Sequence, residues 1–312
     1  EVDSIKINEI DDFLGREFLR LSKNFLMKNS FDAISLHGQT IHHKNRVKSI
    51  QVANPAFMAS FFKVPVVYNF RKKDIDCGGT GAPLMPFLDW IIFRGNDNTL
   101  TLNLGGISNL SFIPKEADLD DVLGFDVGPG MALIDQCVKR FWSEKYDYNG
   151  KYSFKGKVDN SMLEDLITNT PFILEKPPKS TGREEFGEDY IDKVINQYKN
   201  LKKVDILRTF VRFSSLIIRI NIKKFILSQN VVDRLIISGG GVFHPVLMDD
   251  IKKDLEDIPI FNIIDYGIEP KIKESLLMAV LGYSKIKNIS SNIPKVTGAY
   301  KNIVLGDIYE PK

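Results

Sequence analysis

The stretch "TLTLNLGGISNLSFIP", residues 99–114, decides the fold class. Leucine, isoleucine and threonine alternate with polar residues on both sides of Gly105-Gly106, the pattern of two antiparallel strands joined by a tight turn. After it, "VLGFDVGPG" (122–130) reads as a strand ending in a loop, and residues 131–142 read as a helix. Before it, "CGGTGAPLMPFLDWIIF" (77–93) opens with a glycine loop and continues as a helix beyond its prolines. Farther out, residues 8–29 have an amphipathic helical period, while "DAISLHG" (32–38) and "VPVVYNF" (64–70) read as strands, the second running into a charged turn, "RKKD" (71–74). Residues 143–200 are polar and loop-rich with short helices. Residues 204–229 form a long helix, with Ile206, Phe210, Phe213, Leu216, Ile217 and Ile220 on or near one face. "RLIISGGGVFHPVLMDDIKKDL" (234–255) is strand, triple-glycine turn and helix, "IPIFNIID" (258–265) a strand, and "IKESLLMAVLGYSKI" (272–286) a helix. Strands alternating with helices predict an α/β protein.

Bulk properties narrow the function. With 312 residues, 43% of them hydrophobic, the chain can bury one large core or two. A formal net charge of +2 gives no global basic field, so nucleic acid is not an expected partner. Cys77 and Cys137 cannot make a disulfide framework and point to a reducing compartment. No apolar run approaches the ~20 residues that span a bilayer, and no signal peptide is evident.

Three junctions after strands carry glycine: Gly105-Gly106, Gly128-Pro129-Gly130 and Gly239-Gly240-Gly241. Glycine lets backbone approach a ligand, and N–H groups at such turns favour anions such as phosphate. Each turn taken alone reads equally as a structural turn. Neither GxxxxGK[ST] nor GxGxxG occurs, so the chain is neither an evident P-loop protein nor an evident Rossmann protein. Asp126 sits between a strand and a helix. On residues alone it either offers a carboxylate to a cleft, caps the helix near Ala132, or bonds the turn's own N–H groups. His37, His42 and His43 are close in sequence but have no Cys or carboxylate at ligand spacing, which argues against a metal site.

Eight ordered stretches carry a resemblance: "SLHGQTIHH" (35–43), "VVYNFRKKDIDCGGTGAPLMP" (66–86), "LNLGGISNLS" (102–111), "GFDVGPGMALID" (124–135), "PKSTGRE" (178–184), "LIISGGGVFHPVLM" (235–248), "KESLLMAVLGY" (273–283) and "NIPKVTGAYKNIVLG" (292–306). Together they resemble the anhydro-N-acetylmuramic acid kinase family of the actin-like, sugar-kinase ATPase superfamily. The resemblance implies a two-domain α/β fold with a central cleft. Residues 1–90 plus 286–312 would form an N-terminal-type domain that is incomplete, and 91–285 a C-terminal-type domain. It also implies ATP with Mg²⁺ on its phosphates, an anhydro-amino-sugar substrate and a homodimer. In the implied reaction water opens the 1,6-anhydro ring and O6 takes the γ-phosphoryl group, giving N-acetylmuramic acid 6-phosphate for cell-wall recycling.

By the same resemblance, Asp126 is the water-activating base. Asn103, Gly105, Gly106, Asn109 and Gly128 belong to the phosphate-side loops, and Gly239, Gly240 and Gly241 to the nucleotide loop. His37, Gln39, Arg71, Asp74 and Glu274 fall on the sugar side. Each has a plainer alternative: a core histidine, a surface ion pair for Arg71 and Asp74, a solvated helix face for Glu274. Residues 179–183 match a family segment that reads most simply as a structural turn.

The chain also departs from the family. It starts at Glu1, and the family's opening M-S-G-T-S-x-D-G does not occur in the 312 residues, so a longer gene product is expected. Asn69 replaces an Asp, Thr80 a Gln, and Met131 and His244 each an Asn, while "QVAN" (51–54) replaces "QIGD". These changes keep open an alternative: an inactive paralogue that binds sugar or nucleotide without turnover.

Overall fold

The structure is a computed structural model that describes residues 4–182 and 185–311. It divides into two compact units, residues 1–88 with 274–312, and residues 89–273.

In the first unit, helix α1 (Ser4–Leu26) is followed by β1 (Ile34–Ser35), β2 (Gln39–Lys44), β3 (Lys48–Val52), α2 (Ala56–Phe62), β4 (Val66–Tyr68), α3 (Lys72–Asp76) and the start of α4 (Met85–Phe93). Leu14, Phe18 and Leu19 of α1 pack on a small core of Leu36, Ala53, Met58, Ala59 and Val66. Gly15 is required in α1, because a Cβ there would stand 2.6 Å from the Asn54 carbonyl oxygen. The "RKKD" stretch is not a turn. Its residues enter α3, because the Asp74 side chain folds back on the loop that follows and fixes a helical start. The β2–β3 hairpin was not anticipated either; its pattern is mostly exposed and polar, so no apolar alternation marks it.

The second unit carries a five-stranded mixed sheet. Its strands are β5 (Thr99–Leu104), β6 (Ile107–Ile113), β7 (Leu123–Pro129), β8 (Arg234–Ser238) and β9 (Ile260–Asn262), in the order β7-β6-β5-β8-β9. β5, β6 and β7 are antiparallel neighbours, whereas β8 pairs parallel with both β5 and β9. Helices α5 (Ala132–Trp142), α6 (Asn160–Thr168), α7 (Glu188–Gln197), α8 (Lys203–Asn221) and α9 (Pro245–Asp254) complete it. Leu102, Leu110, Phe125, Phe210, Phe213 and Ile217 lie in its core and are almost wholly buried, which is why the 99–114 pattern is so clear. α8 runs into a π-helical turn, Ile222–Ile226.

The chain then returns to the first unit through α10 (Lys273–Ile286), α11 (Pro294–Thr297) and β10 (Asp307–Tyr309). β10 pairs antiparallel with β4, which pairs parallel with β1. The boundary expected near residue 286 therefore moves to 273. The cause is packing within the first unit, where the Ser35 hydroxyl donates to the Met278 carbonyl at 2.5 Å and lies beside Gly282.

The first and last residues of the second unit form a buried ion pair, with Lys273 Nζ 2.7 Å from Asp89 Oδ1. Asp89 Oδ2 accepts from Thr101 and Ser111 hydroxyls on β5 and β6, both at 2.7 Å. Among the described residues, no helix is long and apolar enough to cross a membrane.

Candidate active site

β6 and β7 pair with a shift in register. Ser108 faces Gly128 and Asn109 faces Asp126, so Val127 is an extra residue, a bulge that changes the direction of the strand at Asp126. The Asp126 side chain is nearly buried, at 6% exposure. Its Oδ2 accepts from the Ser180 hydroxyl (2.7 Å) and the Thr181 N–H (3.0 Å). Its own N–H donates to the Lys179 carbonyl at 3.1 Å. The helix start is occupied differently: α5 begins at Ala132 with Met131 in the N-cap position. A charged oxygen that accepts two hydrogen bonds has a fixed direction, which a base that must orient water requires.

The Gly105-Gly106 turn docks on the beginning of α5. The Gly105 carbonyl accepts from the Met131 N–H (2.8 Å), and the Gly106 carbonyl from Gly130 (2.9 Å) and Ala132 (3.1 Å). Gly130 has no room for a side chain, since a Cβ would lie 2.5 Å from the Gly105 oxygen. On the neighbouring strand Gly239 has φ +87°, and a Cβ there would lie 2.7 Å from Asn103 Oδ1. By contrast, Gly240 has nothing within 4 Å of where its Cβ would be.

Gly105, Gly106 and Gly240 line one cavity of ≈ 720 Å³, together with Asp135, His244 and Lys271. Tyr146, Tyr148 and Phe243 add exposed aromatic rings to its lining. The volume is in the range of small-molecule sites. The open faces of Gly106 and Gly240 suit a phosphate chain, and the rings suit a flat base. Among the described residues no three His, Cys, Asp or Glu side chains are placed to hold a metal ion, so a divalent cation here would depend on phosphate oxygens for much of its coordination.

His244 has a defined task in this wall. Its Nδ1 accepts the Leu247 N–H at 3.1 Å, capping α9, which leaves the proton on Nε2, 3.3 Å from Asp147 Oδ2. Burial pushes the Asp147 carboxyl up. Bonds from His244, from Ser153 and from the Tyr152 N–H outweigh it and hold the group below its ordinary value.

The sequence matches a protein-family model, anhydro-N-acetylmuramic acid kinase, over residues 5–311. A protein of that name from Clostridioides difficile (strain 630) is 39% identical over 307 residues, covering 95% of this chain and 80% of the relative. Another, from Francisella tularensis subsp. novicida (strain U112), is 37% identical over 307 residues with the same coverage. The chain belongs to the anhydro-N-acetylmuramic acid kinase family. Among solved structures, the activator of the 2-hydroxyisocaproyl-CoA dehydratase from Clostridium difficile with bound ADPNP has a TM-score of 0.42 at 12% identity, covering 71% of this chain and 73% of that one.

The family's motif residues separate into several kinds here. Asn103, Gly105, Gly106, Gly239 and Gly240 surround the cavity or touch its walls, and Asn109 pairs with Asp126. Gly128 and Gly241 are packing glycines, with Cβ positions 2.8 Å from Ile217 and 2.6 Å from Leu104. In the first unit, His37 lines a smaller cavity of ≈ 240 Å³ with Asp11, Gln51, Tyr68 and Asn69. The His37 Nδ1–H donates to the Gly38 carbonyl (2.8 Å), and Nε2 accepts from Arg71 Nε (3.3 Å). Burial first, and the Arg71 charge second, lower the His37 pKa. Gln39 and Glu274 are exposed. Asp74 is wholly buried: Oδ2 accepts the Gly81 N–H (2.8 Å), and Oδ1 accepts from Thr297 (2.7 Å) and Asn292 (3.2 Å). It shapes a loop and is not a surface ion-pair partner of Arg71.

Sequence reasoning missed Asp135, Asp147 and the three aromatic residues of the cavity, and it gave Ser180 and Thr181 no role. Asp135 ends a quoted family stretch, so its signal was present. Ser180 and Thr181 lie 54 and 55 positions from Asp126, and nothing local links them to it. Two of the substitutions also have structural accounts. His244 caps a helix, a role that asparagine fills equally well. Asn69 holds φ +58° and donates to Asp307 at 2.8 Å, a backbone conformation asparagine tolerates.

Proposed function

We propose that this chain is an ATP-dependent sugar kinase that opens 1,6-anhydro-N-acetylmuramic acid with water and phosphorylates the freed O6. The observation that carries the reading is Asp126: a nearly buried carboxylate at a strand bulge, oriented by two donors, in the unit that holds the glycine-lined cavity. Asp126 takes a proton from water. The resulting hydroxide bonds to the anomeric carbon, the C1–O6 bond breaks, and O6 attacks the γ-phosphorus as ADP leaves. General-base assistance and positioning both lower this barrier.

Gly105, Gly106 and Gly240 would let the phosphates approach the backbone, while Lys271 supplies positive charge; Mg²⁺ carried by the phosphates spreads the charge of phosphoryl transfer. Tyr146, Tyr148 and Phe243 would take the base. His37 and Arg71 would face the sugar, with Asp74 supporting them through its loop. The cytoplasmic setting, cell-wall recycling and homodimer of the family accompany this reading.

The test is a mass-spectrometric assay with ATP, Mg²⁺ and the anhydro-sugar. The expected product is heavier than the substrate by one water and one phosphoryl group. Asp126→Asn should lower kcat by about 10²- to 10⁴-fold while ATP binding persists; undiminished turnover in that variant would remove Asp126 from the role.

A further inference from the structure

Among the described residues, Lys179 is an unexpected buried group. It is 5% exposed, yet among the described residues its ammonium has no carboxylate partner at hydrogen-bond distance. Nζ donates instead to the carbonyls of Phe172 (3.0 Å) and Ile173 (3.1 Å) and to Asn221 Oδ1 (2.7 Å). All three ammonium protons are thus used. The rings of Phe172, Phe225 and Phe125 surround it at 4.6, 5.1 and 5.6 Å. Lysine is almost never buried without an ionic partner, because desolvating the ammonium is costly. A methionine of similar length would fill this box without that penalty, so packing alone does not account for the charge.

What the ammonium ties together does account for it. Its partners lie on the turn at 171–174, on the last residue of α8, and on the π-helical turn that follows. The backbone of the same residue and of the next two encloses Asp126: the Lys179 carbonyl accepts its N–H, and Ser180 and Thr181 donate to its carboxylate. Phe125, one residue before Asp126, puts its ring against the same ammonium. One side chain therefore anchors both the strand that carries the carboxylate and the segment that aims it.

We propose that Lys179 is a positioning residue for Asp126, its buried ammonium holding residues 179–181 in the register that orients the carboxylate. The proposal rests on the reading of Asp126 as the base. Among the described residues, the charged groups acting on Lys179 are Glu175, Asp126 and Glu185, which favour the ammonium, and Lys224, which opposes it; burial outweighs them and pushes the group down to about 8. At neutral pH the anchor is charged, and discharging it removes a donor from one of its three bonds.

The test compares the wild-type chain with Lys179→Met, Lys179→Arg, Asn221→Leu and Asp126→Asn in full kinetic profiles. Lys179→Met should lower kcat by about 10²-fold, as expected for a misplaced reactive group, with KM for ATP and sugar changed less than about threefold and the acid limb of kcat moved to higher pH. Asn221→Leu should give a weaker form of the same change, and it serves if Lys179→Met does not fold. The wild-type alkaline limb near pH 8 should be absent from Lys179→Arg. Loss of thermal stability with unchanged kcat and pH profile in both Lys179→Met and Asn221→Leu would overturn the proposal. Full activity in Asp126→Asn would instead overturn the reading of Asp126. A crystal structure of either anchor variant gives a readout independent of turnover: the 2.7 Å Ser180–Asp126 bond is expected to be lost, and its retention refutes the anchoring.

Discussion

Two sets of loop glycines, one in each unit, are glycine for opposite reasons. In the first, the loop after α3 is folded tightly around a carboxylate: a Cβ on Gly79 would lie 2.2 Å from Asp74 Oδ2 and 2.9 Å from the Asp74 carbonyl oxygen. In the second, Gly240 meets nothing within 4 Å and Gly106 only Ala132 at 4.0 Å, and both line the large cavity. The first set is glycine because the protein itself fills the space. The second set leaves space for something else. A glycine-rich motif therefore says that backbone comes close to an atom, and only the structure says whose atom it is.

Substitutions can break this comparison, the largest effect coming first. Gly79→Ala should cost about 3 kcal/mol, since the intruding carbon meets a hydrogen-bonded carboxylate and backbone that cannot move aside; a melt unchanged from wild type would refute the tight packing. Asp74→Asn should cost about 2 kcal/mol, because an amide has a single acceptor oxygen and cannot serve the Gly81 N–H and the Thr297 and Asn292 donors together; chemical denaturation measures this. A smaller effect comes from acid. The folded His37 pKa lies below its ordinary 6.5, so between those values the unfolded chain binds the extra proton. Stability should then fall as pH drops through that window, and be restored as pH rises toward 6.5. His37→Gln should flatten this part of the stability–pH curve; an unchanged slope would show that His37 does not cause it. Gly240→Ala should alter stability least, within about 0.5 kcal/mol, yet raise KM for ATP. An unaffected KM would mean that the open face of Gly240 is not used.

The sequence displayed the second unit far better than the first. Its strands are apolar on both faces or alternate cleanly around Gly105-Gly106, so period and turn agree. The first unit's β2–β3 hairpin is polar and exposed, and β10 has three residues whose partner strand lies about 240 positions earlier, so neither leaves a local mark. The same limit applies to the site. Asp126, the paired glycines and His37 were legible as motif residues. That Asp74 is consumed by its own loop, that Ser180 and Thr181 hold Asp126, and that Asp147 and His244 meet in the cavity wall depend on contacts between distant residues, and spacing alone carries no such information.

The Asp89–Lys273 pair has a consequence for how the chain can be connected. It joins the first residue of the second unit to the last, so the second unit is an insertion whose two ends are held near each other. An insert whose folded ends are held near each other adds little loop-closure entropy to the folding of the host. It also makes the insert separable in principle, because a polypeptide of residues 89–273 would retain both partners of its own clasp. Joining those neighbouring ends and opening the chain at an exposed loop would yield a circular permutant with every strand pairing of the five-stranded sheet preserved.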